Sequence, residues 1–148
     1  MAEVPMKLAR ITLLLALCLM LVSCGGSSGS PGTINGNWSA TLSGTTLELG
    51  TAEVLTFTAT LNQTSPPAVD VTNFVLGAPC FSSSNAFSTF SSGAFTLHVV
   101  DSQQGGFQNK LDLQGNLDGR TITGNWTLTG GASQESCTAS GTFKMTRS

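Results

Sequence analysis

The side chains that could carry out acid–base chemistry are few in this sequence and lie far apart. His98 is the one histidine, and it interrupts an alternating apolar run, so a strand would place it on the polar face, where a lone histidine is usually inert. The alternating runs contain no serine-nucleophile elbow, and the sequence has no zinc-protease motif or phosphate-binding loop. We expect no catalytic residue, no metal site and no cofactor. The aspartates are spread over separate segments, at Asp70, Asp101, Asp112 and Asp118.

Covalent lipid attachment is the one chemistry that the sequence indicates, and it falls on Cys24. Basic residues precede an uncharged run at 11–22, which is too short to span a bilayer but typical of the apolar part of a signal peptide. The end of this run and the two residues after it, Leu21-Val22-Ser23-Cys24, resemble the lipobox of bacterial lipoproteins. The resemblance implies cleavage after Ser23, diacylglycerol on the Cys24 sulfur, and acylation of the new amino terminus.

The lipobox divides the chain into three predicted parts: a helical signal peptide at 1–23, a lipidated and Gly/Ser-rich tether at 24–33, and a folded domain at 34–148. Buried acyl chains contribute about 0.8 kcal/mol per methylene, so anchoring would be effectively permanent. Gly25, rather than an aspartate, follows the cysteine, and in this family that favours the outer membrane. We expect an exported protein held on that membrane through Cys24.

Besides the lipidated Cys24, the predicted mature chain has two cysteines, Cys80 and Cys137. An even remainder in an oxidising compartment favours a disulfide, and their spacing is unlike that of a zinc site. Closing so long a loop would stabilise the fold by about 4 kcal/mol on the chain-entropy estimate.

Hydrophobic residues alternate with polar ones through most of the domain, the pattern of strands with one buried face. No segment after the signal shows a helical stripe. We predict an all-β domain, an antiparallel meander of seven or eight strands closed or nearly closed into a barrel; a β-sandwich is the alternative. The runs with apolar residues on one face begin at Ile34, Leu55, Val69, Phe95, Leu111, Ile122 and Cys137.

Two segments between these runs have distinct predictions. Asp118-Gly119 favours a two-residue type I′ hairpin, which would place Gly115 opposite Ile122 and Gly124 opposite Leu113. The segment 80–93 is irregular in pattern and reads as a loop. It supplies a candidate ligand rim at Phe81, Phe87 and Phe90.

In four of the alternating runs or at their edges, a glycine precedes an aromatic residue by two positions, so each pair would share one face of a strand. The glycine would leave room for an aromatic ring and allow the strand to coil. We therefore interpret these positions as structural, with both tryptophans buried. They are Gly36 with Trp38, Gly93 with Phe95, Gly124 with Trp126, and Gly141 with Phe143.

The first of these, Gly36-Asn37-Trp38, together with Arg147 near the C-terminus, resembles the lipocalin and calycin group of small β-barrels. In that group a basic residue covers the tryptophan of the first strand. The resemblance implies that Arg147 lies over Trp38.

The charge of the chain argues against nucleic-acid binding. Only 9% of residues are charged, against about 25% in ordinary domains, and nothing resembles the basic stripe of a nucleic-acid-binding protein. We expect a non-catalytic envelope module that binds a small apolar ligand or supports other surface components. The alternatives are an enzyme acting on envelope carbohydrate or lipid, and an adhesion or assembly partner that uses a strand edge.

Replacing Cys24 by alanine should release the protein from the membrane, because the sulfur that would carry the lipid is lost. Fractionation of cells producing Cys24→Ala and wild-type protein measures this. Unchanged membrane association of the variant would contradict the anchor.

Overall fold

The computed structural model describes residues 32–46, 52–77, 81, 84–101, 109–130 and 137–148. Each strand pairs antiparallel with the next, and the last pairs with the first, which closes a barrel. The predicted barrel of seven or eight strands is confirmed, with eight strands, and the sandwich alternative is wrong. The strands are β1 (Gly36–Thr46), β2 (Ala52–Ser65), β3 (Ala68–Gly77), β4 (Ser84–Ser91), β5 (Ala94–Asp101), β6 (Lys110–Asp118), β7 (Thr121–Thr129) and β8 (Ala139–Arg147).

Some predictions concern residues outside this description. The signal peptide, the lipobox with Cys24, and Cys80 all lie outside the described residues. Cys137 is described and buried, with 5% of its surface exposed, while its pairing with Cys80 stays a prediction. The described residues include no helix long and apolar enough to cross a membrane.

Alternation sends one face of each strand into the barrel, as the period-two pattern predicts. Trp38 and Trp126 are each 1% exposed, so the predicted burial of both tryptophans is confirmed. Large apolar side chains fill the interior. A barrel of eight strands has an interior just wide enough for side chains to fill it. Those with less than 2% of their surface exposed are Trp38, Trp126, Phe95, Ile34, Leu42, Leu55, Leu61, Leu97, Leu111, Leu113, Ile122 and Met145.

Pairs of opposed glycines make room for the aromatic rings on one side of the barrel. Gly44 lies opposite Gly141 across β1 and β8, and a Cβ on Gly44 would stand 2.8 Å from the Trp126 ring. The Trp126 indole nitrogen reaches across β8 to donate to the Ser43 carbonyl at 3.3 Å. The Trp126 ring therefore lies over a glycine of another strand, at a position outside the four predicted glycine–aromatic pairs.

A second opposed pair, Gly115 and Gly124, joins β6 to β7, and a Cβ on Gly115 would stand 2.8 Å from the Phe143 ring. The predicted pairing of these glycines with Ile122 and Leu113 is wrong by two residues. The turn consists of Gly119 and Arg120, and Gly119 has φ +58°. Glycine at the first turn position with positive φ fits a type II′ turn, which leaves Asp118 in the strand opposite Thr121.

The predicted loop at 80–93 is also wrong, because Ser84–Ser91 forms β4. Its inward residues are Ser84, Ala86, Ser88 and Phe90, so the strand has an inner face that is only partly apolar. Ser92 (φ 52°) and Gly93 (φ 87°) form the two-residue turn to β5. Gly93 therefore serves the turn, whereas the sequence pattern had placed it within a strand beside Phe95.

The two ends of the barrel differ in how strands are connected. At the end where β1 begins, three two-residue turns join the strands, at Pro66–Pro67, Ser92–Gly93 and Gly119–Arg120. At the opposite end the connections are longer, at 47–51, 78–83, 102–109 and 130–138. The predicted tether enters at the end with the tight turns.

Gly141→Ala should lower the free energy of unfolding by about 1–3 kcal/mol, the usual cost of overpacking, because its Cβ would stand 2.0 Å from the Ser43 carbonyl oxygen. Urea denaturation measures the change. Gly77→Ala is the matched control, since its Cβ would meet only ordinary contacts at 3.4 Å and beyond. Equal stability of the two variants would contradict the close approach of β1 and β8.

Candidate functional site

The barrel wall is weakest between β3 and β4. Ala68 pairs with Thr89 and Val69 with Ser88, and no further pair joins these strands in the described residues. Every other pair of neighbouring strands shares a ladder of at least seven residue pairs. We call this interrupted junction the β3–β4 seam.

The backbone direction shows which groups face the seam. The Phe90 N–H donates to the Pro67 carbonyl at 2.8 Å, and backbone groups of alternate residues point to the same side of a strand. Continuing that register would bring Val71 opposite Ala86, but the ladder ends one step earlier, at Val69 and Ser88. The N–H and C=O groups of Val71 and Ala86 therefore face the seam beyond the end of the ladder.

β3 has a bulge shortly after Val71. Asn73 has φ 50°, and the pairing of β3 with β2 shifts register between Thr58 and Thr60. Bulges of this kind bend a strand and increase its twist. Among the described residues, pairing with β4 stops before the bulge, and none of them pairs the second half of β3 with β4.

An open cleft of about 890 Å³ lies along the seam. Asp70 is the one ionisable residue among its described lining residues, and Phe87 is 63% exposed. A volume of this size is in the range of ligand pockets. The lining comes from the start of β1, from β2, and from both sides of the seam: Asn35, Gly36, Thr60, Leu61, Asn62, Ala68, Val69, Asp70, Val71, Thr72, Ala86, Phe87 and Ser88.

The inner side of the seam is apolar. Val71, Phe74, Leu76, Phe81 and Ala86 are partly buried and pack against the core. The three phenylalanines of the predicted rim therefore have different positions. Phe87 lines the cleft, Phe81 is half-buried beside the core, and Phe90 belongs to the core with 7% of its surface exposed.

Hydrogen bonds hold the closed end of the seam. The Gln63 amide donates to the Phe90 carbonyl at 2.7 Å and to the Pro67 carbonyl at 3.3 Å. The Ser88 hydroxyl donates to the Thr96 carbonyl at 2.7 Å. These bonds hold β4 against β2 and β5. In the described residues, the junction of β3 and β4 is hydrogen-bonded up to Ser88 and has no strand pair beyond it.

His98 lies on the outer face, as the alternation predicts, and pairs with Asp112 through its Nδ1. Both side chains are 45% exposed, and exposed pairs of this kind contribute little to stability. The register places Phe87 and Asp112 on either side of His98. Among the described residues, no three of His, Cys, Asp and Glu are grouped to hold a metal ion.

Arg147 closes the end of the barrel where β1 begins. Its guanidinium carbon lies 5.8 Å from the centroid of the Trp38 ring, and its Nη1 donates to the Thr33 carbonyl at 2.7 Å. The Trp38 indole donates to the Ile34 carbonyl at 2.8 Å. The contact implied by the lipocalin resemblance is present, while membership of that group stays a prediction.

Comparison with protein-family models, with curated proteins and with solved structures gave no match for this chain. The class that the fold itself defines is the closed, eight-stranded antiparallel β-barrel. A barrel of this kind hosts unrelated functions, so the function has to be argued from the cleft and its residues.

Sequence reasoning found Phe87 but missed the other residues that make the seam. Asp70, Val71 and Ala86 are ordinary members of alternating runs, and their importance arises from a pairing that stops. The available signals were Pro66-Pro67, which restricts the turn before β3, and the polar serines of β4, which weaken its inner face.

Replacing Arg147 by methionine should lower the free energy of unfolding by about 1–3 kcal/mol, because the cation over Trp38 and the charged hydrogen bond to Thr33 are both lost. Thermal or urea denaturation measures this. Lys144→Met on the exposed face of the same strand is the control, expected to change stability by about 0.5 kcal/mol or less. A similar loss in both variants would show that Arg147 has no special role in closing the barrel.

Proposed function

We propose that this chain is an exported lipoprotein, anchored through Cys24, whose barrel is a non-catalytic binding module with the β3–β4 cleft as its site. The observation that supports the proposal is the interrupted ladder at the seam, which leaves backbone groups and apolar side chains beside an open cleft. Unpaired strand edges are rarely left exposed in stable proteins without a reason, because they invite association.

The filled interior favours binding at the wall of the barrel over carriage of a ligand inside it. The central residues, such as Leu42, Leu97 and Leu113, are at most 1% exposed, whereas Phe87 and Val71 lie at the cleft. A small apolar molecule or a segment of another surface component would contact these residues. Such contacts contribute about 25 cal/mol per Å² of apolar surface removed from water.

The arrangement of the ends supports an anchored module. The predicted tether at 24–33 enters where the tight turns are, and Asn35 and Gly36, which follow it, line the cleft. A tether of this length reaches at most about 35 Å. The proposal therefore places the cleft on the side of the barrel near the membrane, and it includes the outer-membrane address and the Cys80–Cys137 disulfide.

The outer-face pair of His98 and Asp112 gives little support to the enzyme alternative. A general base needs a reacting group within hydrogen-bond reach, and the cross-strand neighbours of the pair are Phe87 and Thr127. A threonine hydroxyl beside the carboxylate rather than beside the imidazole is not the arrangement of an activated nucleophile.

Native mass spectrometry of the full-length protein, purified in detergent from its own host, tests the proposal. We expect a bound molecule on the wild-type protein and an occupancy at least about fivefold lower on Phe87→Ala, because the aromatic contact of the cleft is lost. Val54→Ala is the matched control, since Val54 is similarly exposed, at 64%, but does not line the cleft. Equal occupancy in the two variants would contradict binding at the cleft.

A further inference from the structure

We infer that the occupant of the cleft is an extended peptide segment of another protein, carrying a lysine or arginine, which adds as a strand at the β3–β4 seam. The inference rests on the proposed function, since it names the partner of the same site. It depends on the direction of the backbone groups, on the two faces of the seam, and on the charge of the cleft.

The backbone of the seam provides hydrogen-bonding groups that a small apolar molecule would leave unsatisfied. The bond from Phe90 to Pro67 fixes which residues point across the junction, and Val71 and Ala86 are next in that register, past the last pair. An added strand offers its own N–H and C=O groups at the same spacing. It would continue a ladder that the chain itself ends at Val69 and Ser88.

Nothing on β4 prevents such pairing. Edge strands are commonly protected by charged side chains or proline, and β4 (SNAFSTFS) contains neither. The interaction of β4 with β5 is complete over eight residue pairs, so its free edge is held rigidly. A rigid edge reduces the entropy lost when a peptide adds to it.

The side chains of the seam predict an alternating peptide. Val71 and Ala86 are half-buried towards the core, whereas Asp70 and Phe87 are exposed towards solvent. Successive residues of an added strand would meet these two environments in turn. The inward residues should be apolar, and the outward ones should contact the Phe87 ring and the Asp70 carboxylate.

Charge argues for a basic residue in the peptide and against a second copy of this chain. Asp70 is the one ionisable group among the described lining residues of the cleft. Of the basic residues that the structure describes, Lys110, Lys144 and Arg147 lie in strands paired on both sides, and Arg120 lies in a tight turn. None of these is in a free extended segment, and the other two basic residues, Lys7 and Arg10, lie in the predicted signal peptide, so we infer that the partner is a different protein.

The test uses a displayed library of random octapeptides, selected on the full-length protein in detergent. We expect enriched peptides to alternate apolar and polar residues and to contain one Lys or Arg. Methylation of their backbone nitrogens on one edge should abolish binding in calorimetry, because a strand cannot pair without those N–H groups. Enrichment of peptides whose affinity survives methylation would overturn strand addition.

Variants of the protein separate the backbone pairing of the peptide from its ion pair with Asp70. Ala86→Pro removes one edge N–H and should weaken binding by about three- to tenfold, the worth of one hydrogen bond; Ala86→Val, which keeps the N–H, is its control. Asp70→Asn should weaken Lys-containing peptides by about two- to fivefold, as expected for an exposed ion pair, and leave their Lys→Gln versions unchanged. Equal binding to Ala86→Pro and Ala86→Val, or no effect of Asp70→Asn, would contradict the inference.

Failure of this inference is distinguishable from failure of the proposed function. A small molecule on the wild-type protein that is lost in Phe87→Ala, with no peptide enriched, would leave the cleft as a binding site and overturn the peptide. Absence of both a bound molecule and an enriched peptide would contradict both proposals.

Discussion

The barrel depends on two places where neighbouring strands approach so closely that neither residue has a side chain. At Gly44 and Gly141, and again at Gly115 and Gly124, the facing residues are glycines, and the freed volume is filled by Trp126 and Phe143. Two large rings can then lie flat over strands that would otherwise carry inward side chains. The rings are accommodated because the barrel wall is thin at the glycines that they cover.

This constraint acts on one side only, and the other side of the barrel behaves differently. The glycine pairs belong to β1, β6, β7 and β8, whereas the seam lies between β3 and β4, across the barrel from the junction of β7 and β8. Long, regular ladders surround the rings, and the ladder fails where polar β4 has little to bury. Tight packing on one side thus coexists with an accessible junction on the other.

Much of the fold could be predicted from the sequence because period-two alternation reports burial directly. The apolar faces of β1, β2, β5 and β7 were all assigned to the interior, and they lie there. The register of β6 and β7 was not predictable from the turn alone: Asp118-Gly119 and Gly119-Arg120 both make acceptable hairpins, and the opposed glycines that decide between them are a tertiary contact. A shift of two residues leaves every side chain on the same face, so the core assignment survived the error.

The candidate site was harder to predict, for a physical reason. A seam is a place where pairing stops, and residues beside it, such as Val71 and Ala86, look like any other strand residues. Phe87 was identifiable as an aromatic outside the regular pattern, but the pattern at 80–93 suggested a loop. Short polar strands such as β4 have little hydrophobic alternation, and they depend on neighbours such as β5 to define them.

Closure of this barrel pairs its first strand with its last, and this pairing bears on how the barrel folds. β1 pairs with β8 from Trp38 opposite Arg147 to Thr46 opposite Ala139, a contact of very high sequence separation, which is slow to form because the intervening chain must first be ordered. If the polypeptide emerges amino end first, β1 waits beside β2 with its other edge bare until the last strand arrives. Arg147 can lie over Trp38 only once β8 has paired with β1, so closure of this end of the barrel depends on the last strand of the chain.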